Sequence, residues 1–181
     1  MKKTIITSII AIFGLGLSQA QIAIGKNAVS SPSVSIEFAD NQARGIILPW
    51  VDDTASVTDA VDGTIVYDVS DHKIKVKYQS DWFDLTVDET GTTVDPISGT
   101  DGYDIQDELD ENLTAKVGIG TETATAGLLV LEDTDKAMVL PKVTDTDEII
   151  NPTPGMMVYV TSENLLAVFN GSVWTFWKAG N

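Results

Sequence analysis

The residues of this chain that could bind a metal ion lie in one acidic segment. Between Gln79 and Ala115 there are eleven Asp and Glu residues and no Lys or Arg. Carboxylate oxygens are the ligands that Ca²⁺ prefers, so Asp101, Asp104 and Asp107 are candidate calcium ligands. The segment contains no Asp-x-Asp-x-Asp-Gly loop, and its spacing defines no coordination cage. Two interpretations stay open: a calcium site, and a solvated connector that keeps its neighbours apart.

Catalytic chemistry has few candidate residues. His72 is the only histidine, and it lies in the polar segment 70–73, which is typical of an exposed turn. The chain has no cysteine, no Gly-x-Ser-x-Gly elbow, and no phosphate-binding or zinc motif. Most carboxylates lie in the acidic segment, where no rigid scaffold would fix the separation that glycoside hydrolysis requires. We therefore predict that the protein is not an enzyme and has no catalytic or cofactor-binding residues.

Four tryptophans offer aromatic faces on which a sugar ring could stack. Trp82 and Trp174 occupy equivalent positions of the repeat described below, which favours a role in the core of each copy. Trp50 and Trp177 have no tryptophan at the equivalent position, so we expect them to make contacts outside their own copy. A monomeric glycan-binding surface module is therefore the alternative function.

The first twenty residues predict export. Lys2 and Lys3 precede an apolar stretch over residues 5–17, and the sequence Ser-Gln-Ala ending at Ala20 places small residues before a cleavage site. We predict a signal peptide cleaved between Ala20 and Gln21. No later stretch reaches membrane-spanning length. The mature chain is therefore expected to be secreted, in the extracellular space or at the cell surface.

The mature chain is strongly acidic. Without the two lysines of the signal peptide it has 11 − 2 = 9 basic and 27 acidic residues, a net charge of 9 − 27 = −18. This charge disfavours nucleic acid as a partner. The absence of cysteine also excludes disulfides, so stability must come from the core or from assembly.

The chain contains two copies of one segment, separated by 92 residues. When residues 46–85 are aligned with residues 138–177, 12 of the 40 positions are identical, whereas average composition would give roughly two or three. In each copy an apolar run stops at Pro49 or Pro141, and proline marks the end or edge of a strand. Runs rich in Val, Ile and Tyr follow, and these residue types are enriched in strands.

These patterns predict a mostly β protein of two tandem, small antiparallel β modules, sandwich-like, joined by an acidic connector. Within the connector, apolar residues spaced four apart predict one short helix over residues 104–113. The predicted organisation is a signal peptide over 1–20, β module 1 over 21–85, the connector over 86–116 and β module 2 over 117–181.

Three short motifs recur in order: small-Φ-Φ-Leu-Pro-x-Val, then Gly-Φ-Φ-Val-Tyr, then Asn-Gly-Ser-x-Trp, where Φ is apolar. The second copy carries the last motif at Asn170–Trp174, and Val-Gly-Ile-Gly-Thr precedes it at Val117–Thr121. The first copy departs from the pattern, with Tyr-Gln-Ser-Asp-Trp at Tyr78–Trp82. The combination resembles a repeat of secreted fibre-like surface proteins of Gram-negative bacteria. The resemblance implies an extracellular filament, fibre or adhesin role without catalytic residues.

The second copy has lost a polar strand face that the first copy keeps. Residues 73–78 alternate apolar residues with lysines, whereas the equivalent positions after residue 164 are apolar on both faces. Such a strand must be covered on both faces. We predict a subunit interface made of the apolar residues of this strand and the next one: Leu165, Ala167, Phe169, Phe176 and Trp177. Covering by the connector or by the first copy is the alternative.

The N-terminus that signal-peptide cleavage would create at Gln21 supplies a second predicted interface. Ile22 and Ile24 lie in a short apolar segment that has no counterpart in the second copy. An unpaired strand of this kind can complete an open sheet edge on a neighbouring subunit.

A module of sixty to seventy residues without staples is marginally stable alone, which favours assembly. The sequence therefore predicts a structural subunit of an extracellular filament, fimbria or fibre on a bacterial surface. We expect it to self-assemble as a homo-oligomer or homopolymer and to be adhesive, with other copies and possible surface glycans as its partners.

Overall fold

The computed structural model describes residues 21–40, 42–88, 90–107, 115–120 and 124–178. The predicted signal peptide, including Ala20, lies outside these residues. The described chain is mostly β, with one short α-helix, α1 (Gly102–Asp107), and one 3-10 turn (Thr146–Glu148). The predicted connector helix thus begins two residues earlier than expected, and residues 108–114 lie outside the described part. Within the described residues, no helix has the length and apolar character needed to cross a membrane.

The first copy forms a four-stranded sheet whose neighbours in sequence are also neighbours in space. Its strands are β4 (Trp50–Val51), β5 (Ile65–Asp68), β6 (Lys73–Tyr78) and β7 (Asp81–Asp84). β4 pairs with β5 in parallel, and β5, β6 and β7 form an antiparallel meander.

The second copy repeats this sheet in the same register. Its strands are β11 (Lys142–Val143), β12 (Met156–Val160), β13 (Leu165–Phe169) and β14 (Trp174–Trp177). Trp50 is opposite Tyr67 in the first copy, and Lys142 is opposite Tyr159 in the second. The antiparallel pairs match in the same way at the 92-residue offset. The duplication seen in the sequence is therefore a duplication of structure.

The turns of the two copies are equivalent as well. Four pairs of equivalent residues adopt positive φ: Asp59 and Asn151, Gly63 and Gly155, His72 and Asn164, Gln79 and Gly171. Gly, Asn and Asp adopt this left-handed conformation more readily than other residues. His72 thus lies in the turn between β5 and β6, as predicted, although it is half-buried rather than exposed.

A separate parallel sheet contains the N-terminal strand. Its order is β1 (Ile22–Ile24), β2 (Val34–Phe38) and β10 (Ala137–Val139). β1 pairs with β2 of the same chain, so it is not the unpaired strand that the sequence predicted. Ile22 and Ile24 nevertheless stay 38% and 43% exposed.

The buried side chain of Glu37 holds the segment between β1 and β2 in place. Glu37 is 1% exposed, and its carboxylate accepts hydrogen bonds from Lys26 Nζ, at 2.7 Å, and from the Ser30 amide. These bonds lower the pKa of Glu37.

Two strands remain. β8 (Val117–Gly120) and β9 (Leu129–Glu132) form a parallel pair that contains the Val-Gly-Ile-Gly motif. β3 (Ile46–Ile47) belongs by sequence to the first copy but lies in the sheet of the second.

Candidate assembly interface

The first copy donates a strand to the second. β3 pairs antiparallel with the first half of β12, with Ile46 opposite Met157 and Ile47 opposite Met156. The Leu48 amide then donates to Gly155 O at 3.0 Å. After Pro49 the chain returns to its own sheet as β4, so the two copies are joined by strand addition.

A glycine makes this strand addition possible. A Cβ atom placed on Gly45 would lie 2.9 Å from Met157 O and 2.9 Å from Val158 Cγ1, closer than real Cβ contacts. A side chain at position 45 would therefore force β3 to shift away from β12, and glycine allows the close approach. The sequence signal was the small residue before the apolar run and Leu-Pro.

The side chain of Trp50 joins the same contact. Its indole N–H donates to Pro154 O at 2.9 Å, and its ring packs against Tyr67 with centroids 5.6 Å apart. The turn at Gly155 lies against the indole. Trp50 therefore contacts the opposite copy, as the sequence predicted, with its polar atom paired and part of its surface covered.

Apolar side chains of both copies form one shared cluster. Its buried members come from the first copy, Tyr67 and Ile74, and from the second, Met157 and Val168. Partly buried residues surround it: Leu48, Trp50, Ile65, Val69, Leu85, Leu140 and Leu166. Several members are equivalent residues of the repeat, such as Leu48 and Leu140. Equivalent faces of the two sheets thus meet at this cluster.

The start of the connector packs between the copies. Thr92 N donates to Asn170 O at 3.1 Å, and the Tyr67 hydroxyl donates to the same oxygen at 2.9 Å. Burial raises the pKa of the Tyr67 phenol, so it stays a donor. Thr175 Oγ1 donates to Asp88 Oδ2 at 2.7 Å. The solvated-connector interpretation is therefore wrong for this part of the segment.

Asn170 has a specific structural role in the Asn-Gly-Ser-x-Trp motif. It is 1% exposed, and its side-chain oxygen accepts hydrogen bonds from the amides of Ser172 and Val173, each at 2.9 Å. A Cβ atom on Gly171 would overlap the Thr92 backbone. The motif is therefore a turn shaped to receive the connector.

Replacing Asn170 with alanine should destabilise the fold by about 1–3 kcal/mol, because two amides lose their acceptor in a buried turn. Ser172→Ala is the control, since that side chain is exposed, and we expect it to change the free energy of unfolding by less than about 0.5 kcal/mol. Urea denaturation of both variants measures the difference. Equal midpoints would contradict this role for Asn170.

The predicted interface residues of β13 lie mostly inside the chain. Ala167 is 0% and Phe169 is 8% exposed, and Leu165 packs against the same buried cluster. That cluster also contains Ile149, from the loop between β11 and β12, together with Val143, Met156, Val158 and Val160. The chain itself thus covers the second apolar face of β13, and the prediction that Ala167 and Phe169 form a subunit surface is wrong.

The remaining predicted interface residues lie at the surface. Phe176 is 48% and Trp177 is 40% exposed, both on β14. The Trp177 indole N–H donates to Leu85 O at 2.7 Å, which ties β14 to the end of the first copy. Their role in a subunit contact, like that of Ile22 and Ile24, stays a prediction.

The corresponding face of the first copy is polar and ion-paired. Lys75 Nζ lies 3.1 Å from Asp68 Oδ2 and 2.6 Å from Asp71 Oδ2, and Lys73 pairs with Asp84. Asp68 is 2% exposed. Burial raises the pKa of Asp68, but hydrogen bonds from Ser70 and Lys75 outweigh burial and leave this pKa below its usual value.

The candidate calcium ligands Asp101 and Asp104 lie in different local structures. Asp101 forms an isolated β-bridge with Val94, and its carboxylate accepts from the Tyr103 amide at 2.9 Å. Asp104 is exposed in the first turn of α1, and Asp107 ends that helix, with its side chain outside the description. In the part of the chain that the structure describes, no three metal-ligating side chains are grouped.

The other tryptophans lie at separate places in the two sheets. Trp174 packs against the buried cluster of the second copy, with its ring centroid 5.1 Å from that of Phe169. Trp82 is half-buried beneath Lys77, whose Nζ lies 5.5 Å from the ring centroid.

Comparison with known proteins bears on the second copy. Residues 118–180 match a family model described as a phage tail like trimerisation region. This stretch contains strands β9–β14 and most of β8. No curated protein and no solved structure gives a significant match. The second copy is therefore similar to a trimerisation region.

Proposed function

We propose that this chain is an exported, non-enzymatic structural subunit that associates with two further copies of itself into a fibre-like trimer. The observation that supports this proposal is the similarity of residues 118–180 to a phage tail like trimerisation region. The match lies in the C-terminal part of the chain, which carries Asn-Gly-Ser-x-Trp, the best-preserved motif of the fibre-like repeat that the chain resembles. Both similarities favour self-association.

In this proposal the two copies are small, mainly antiparallel β modules, each with one parallel strand pair, that face each other in a sandwich-like arrangement. The cluster formed by Tyr67, Ile74, Met157 and Val168 supports that arrangement, because it joins one face of each sheet. The assembled trimers would form a filament or fimbria at the surface of a Gram-negative bacterium and mediate adhesion. The predicted signal peptide before Gln21 supports export.

Electron microscopy tests this function directly. The full-length gene is expressed in a Gram-negative host, and the surface and medium fractions are stained negatively beside those of a host without the gene. We expect fibre-like particles in the expressing strain only, built from a chain whose intact mass begins at Gln21. Protein that stays inside the cell with Met1–Ala20 attached, or exported protein without fibres, would refute the proposal.

A further inference from the structure

Each copy of the repeat carries a donor strand and an acceptor edge, but the chain uses only one of the two possible pairs. The donors are β3 and its equivalent β10, and the acceptors are the first half of β12 and the equivalent first half of β5. Within the chain, β3 occupies β12. β10 pairs with β2 instead, and the first half of β5 receives no strand from the described residues on that edge.

The acceptor edge on β5 is open. Tyr67 N donates across this edge to Pro49 O, so the peptide groups of Ile65, two residues earlier, point the same way. Gly63 is exposed, and a Cβ atom placed on it would meet nothing within 4 Å. At the equivalent Gly155, by contrast, a Cβ atom would lie 3.2 Å from the Trp50 indole nitrogen. In the second copy, β3, Leu48 and Trp50 cover the edge at the start of β12. The equivalent edge of the first copy, at the start of β5, is uncovered by the described residues.

The donor strand β10 has a free edge for this purpose. The Ala137 amide donates to Ser33 O at 2.9 Å, which directs it toward β2. The pairing with β2 shifts register between Ala137 and Met138 by an extra residue on the β2 side, Ser35. Because the extra residue is not in β10, the alternation along β10 continues and the peptide groups of Met138 face away from β2. Met138 is the equivalent of Ile46, whose peptide groups bind β12. β10 can therefore bind a further strand without leaving β2.

The charges around the two surfaces are complementary. On the occupied pair, Trp50 donates to the carbonyl of Pro154. At the equivalent positions stand Lys142 and Asp62. The Lys142 side chain is 36% exposed, and its Nζ lies 3.3 Å from the carboxylate of Asp40, whose side chain is 52% exposed. Asp62 is exposed. A contact between Lys142 of one chain and Asp62 of another would bring opposite charges together. The equivalent contact within the chain is the hydrogen bond from the Trp50 indole to Pro154 O.

We propose that β10 of one chain adds antiparallel to β5 of a second chain, with Met138 opposite Ile65 and Val139 opposite Thr64. This inference rests on the proposed self-association and specifies its contact. A donor on one face and an acceptor on another make the contact head-to-tail, and it closes into a trimer when each step turns the chain by a third of a circle. Ala137 stands where the internal donor has Gly45, so its methyl group must shift the strand slightly outward relative to β3.

A cysteine cross-link tests this register, since the chain has no cysteine of its own. Val139 and Thr64 are the equivalents of Ile47 and Met156, a directly opposed pair, and opposed residues of this kind lie within disulfide range. Thr64→Cys and Val139→Cys are purified separately, mixed in equal amounts, unfolded in urea, refolded together and oxidised. We expect up to about half of the chains to become a disulfide-linked dimer of one chain of each variant, because a head-to-tail trimer of mixed chains has one Val139→Cys donor facing one Thr64→Cys acceptor. Both substitutions nearly conserve volume, so folding should be retained.

Three controls define the outcome. Ile47→Cys with Met156→Cys in one chain should form an internal disulfide, which shows that the geometry and oxidation are adequate. Val139→Cys mixed with the exposed Thr58→Cys should give little mixed dimer. Val139→Cys mixed with Met156→Cys tests whether β10 of one chain binds β12 of another chain instead of β5. The inference alone is overturned if Val139→Cys cross-links to Met156→Cys rather than to Thr64→Cys. It is also overturned if the wild-type protein has a trimeric mass but the Thr64→Cys and Val139→Cys variants form no mixed dimer. A monomeric wild-type mass overturns the proposed function as well.

Discussion

Replacing Ala167 with lysine is expected to unfold the second copy. Ala167 is 0% exposed and packs in a cluster with Val158 and Phe169. Its equivalent in the first copy is Lys75, which lies among carboxylates, but the second copy has Val160 where the first has Asp68. A lysine at position 167 would be buried without a partner. We expect a loss of about 4–5 kcal/mol or more, measured as a collapse of the urea midpoint and of the thermal transition.

Phe176→Lys is the matched control for this variant. Phe176 is directly opposite Ala167 on β14 but is 48% exposed, so a lysine there should keep its charge in water and change stability by less than about 1 kcal/mol. The alternative is that β13 contributes a subunit surface. A well-folded Ala167→Lys monomer with an unchanged midpoint would favour that alternative and contradict the core assignment.

Replacing Lys75 with methionine should destabilise the first copy by about 3 kcal/mol, because Asp68 keeps its burial but loses its ion partner. Lys75 is 14% exposed at its side chain, so solvent screens this pair weakly. Lys73→Met is the control, since Lys73 and Asp84 are about one third exposed and an exposed pair contributes about 0–1 kcal/mol. Equal losses for the two variants would show that the burial of Asp68 is unimportant.

The same pair predicts how stability depends on pH. The pKa of Asp68 is lowered in the folded chain, so its contribution is fully present above the unfolded-state pKa of about 3.9 and is lost as the pH falls through the folded pKa. Without Lys75 the folded pKa should rise. Lys75→Met is therefore expected to lose less stability than the wild type on acidification below about pH 4. A parallel loss in both proteins would contradict the assignment.

The duplicated sheets could be predicted because their signals are local. Each strand of the repeat has its own apolar pattern, and the fixed offset places Pro49 over Pro141 and Gly63 over Gly155. The crossing of β3 could not be predicted from that pattern. Ile46 and Ile47 are apolar like the strands of both sheets, so their residue types do not indicate which sheet they join. Choice of partner strand depends on tertiary geometry, which hydrophobic alternation does not record.

Ala167 and Phe169 were assigned to the interface for a related reason. Two apolar faces on β13 correctly require cover on both sides, but the pattern does not say what provides it. Val168 faces the first copy and Ala167 faces Ile149 of the preceding loop, so the chain supplies both covers. Pairing of polar groups was equally hidden, since Asn170 and Thr92 are far apart in sequence and meet only in the fold.

Sedimentation equilibrium of the mature chain tests self-association most directly. The protein beginning at Gln21 is measured over a wide range of concentrations without a tag, beside the Asp62→Lys variant as a charge-reversed control. We predict that the data require a species of three times the chain mass, and that the variant shifts toward the single-chain mass. A single-chain mass at every concentration of the wild-type protein would contradict the account.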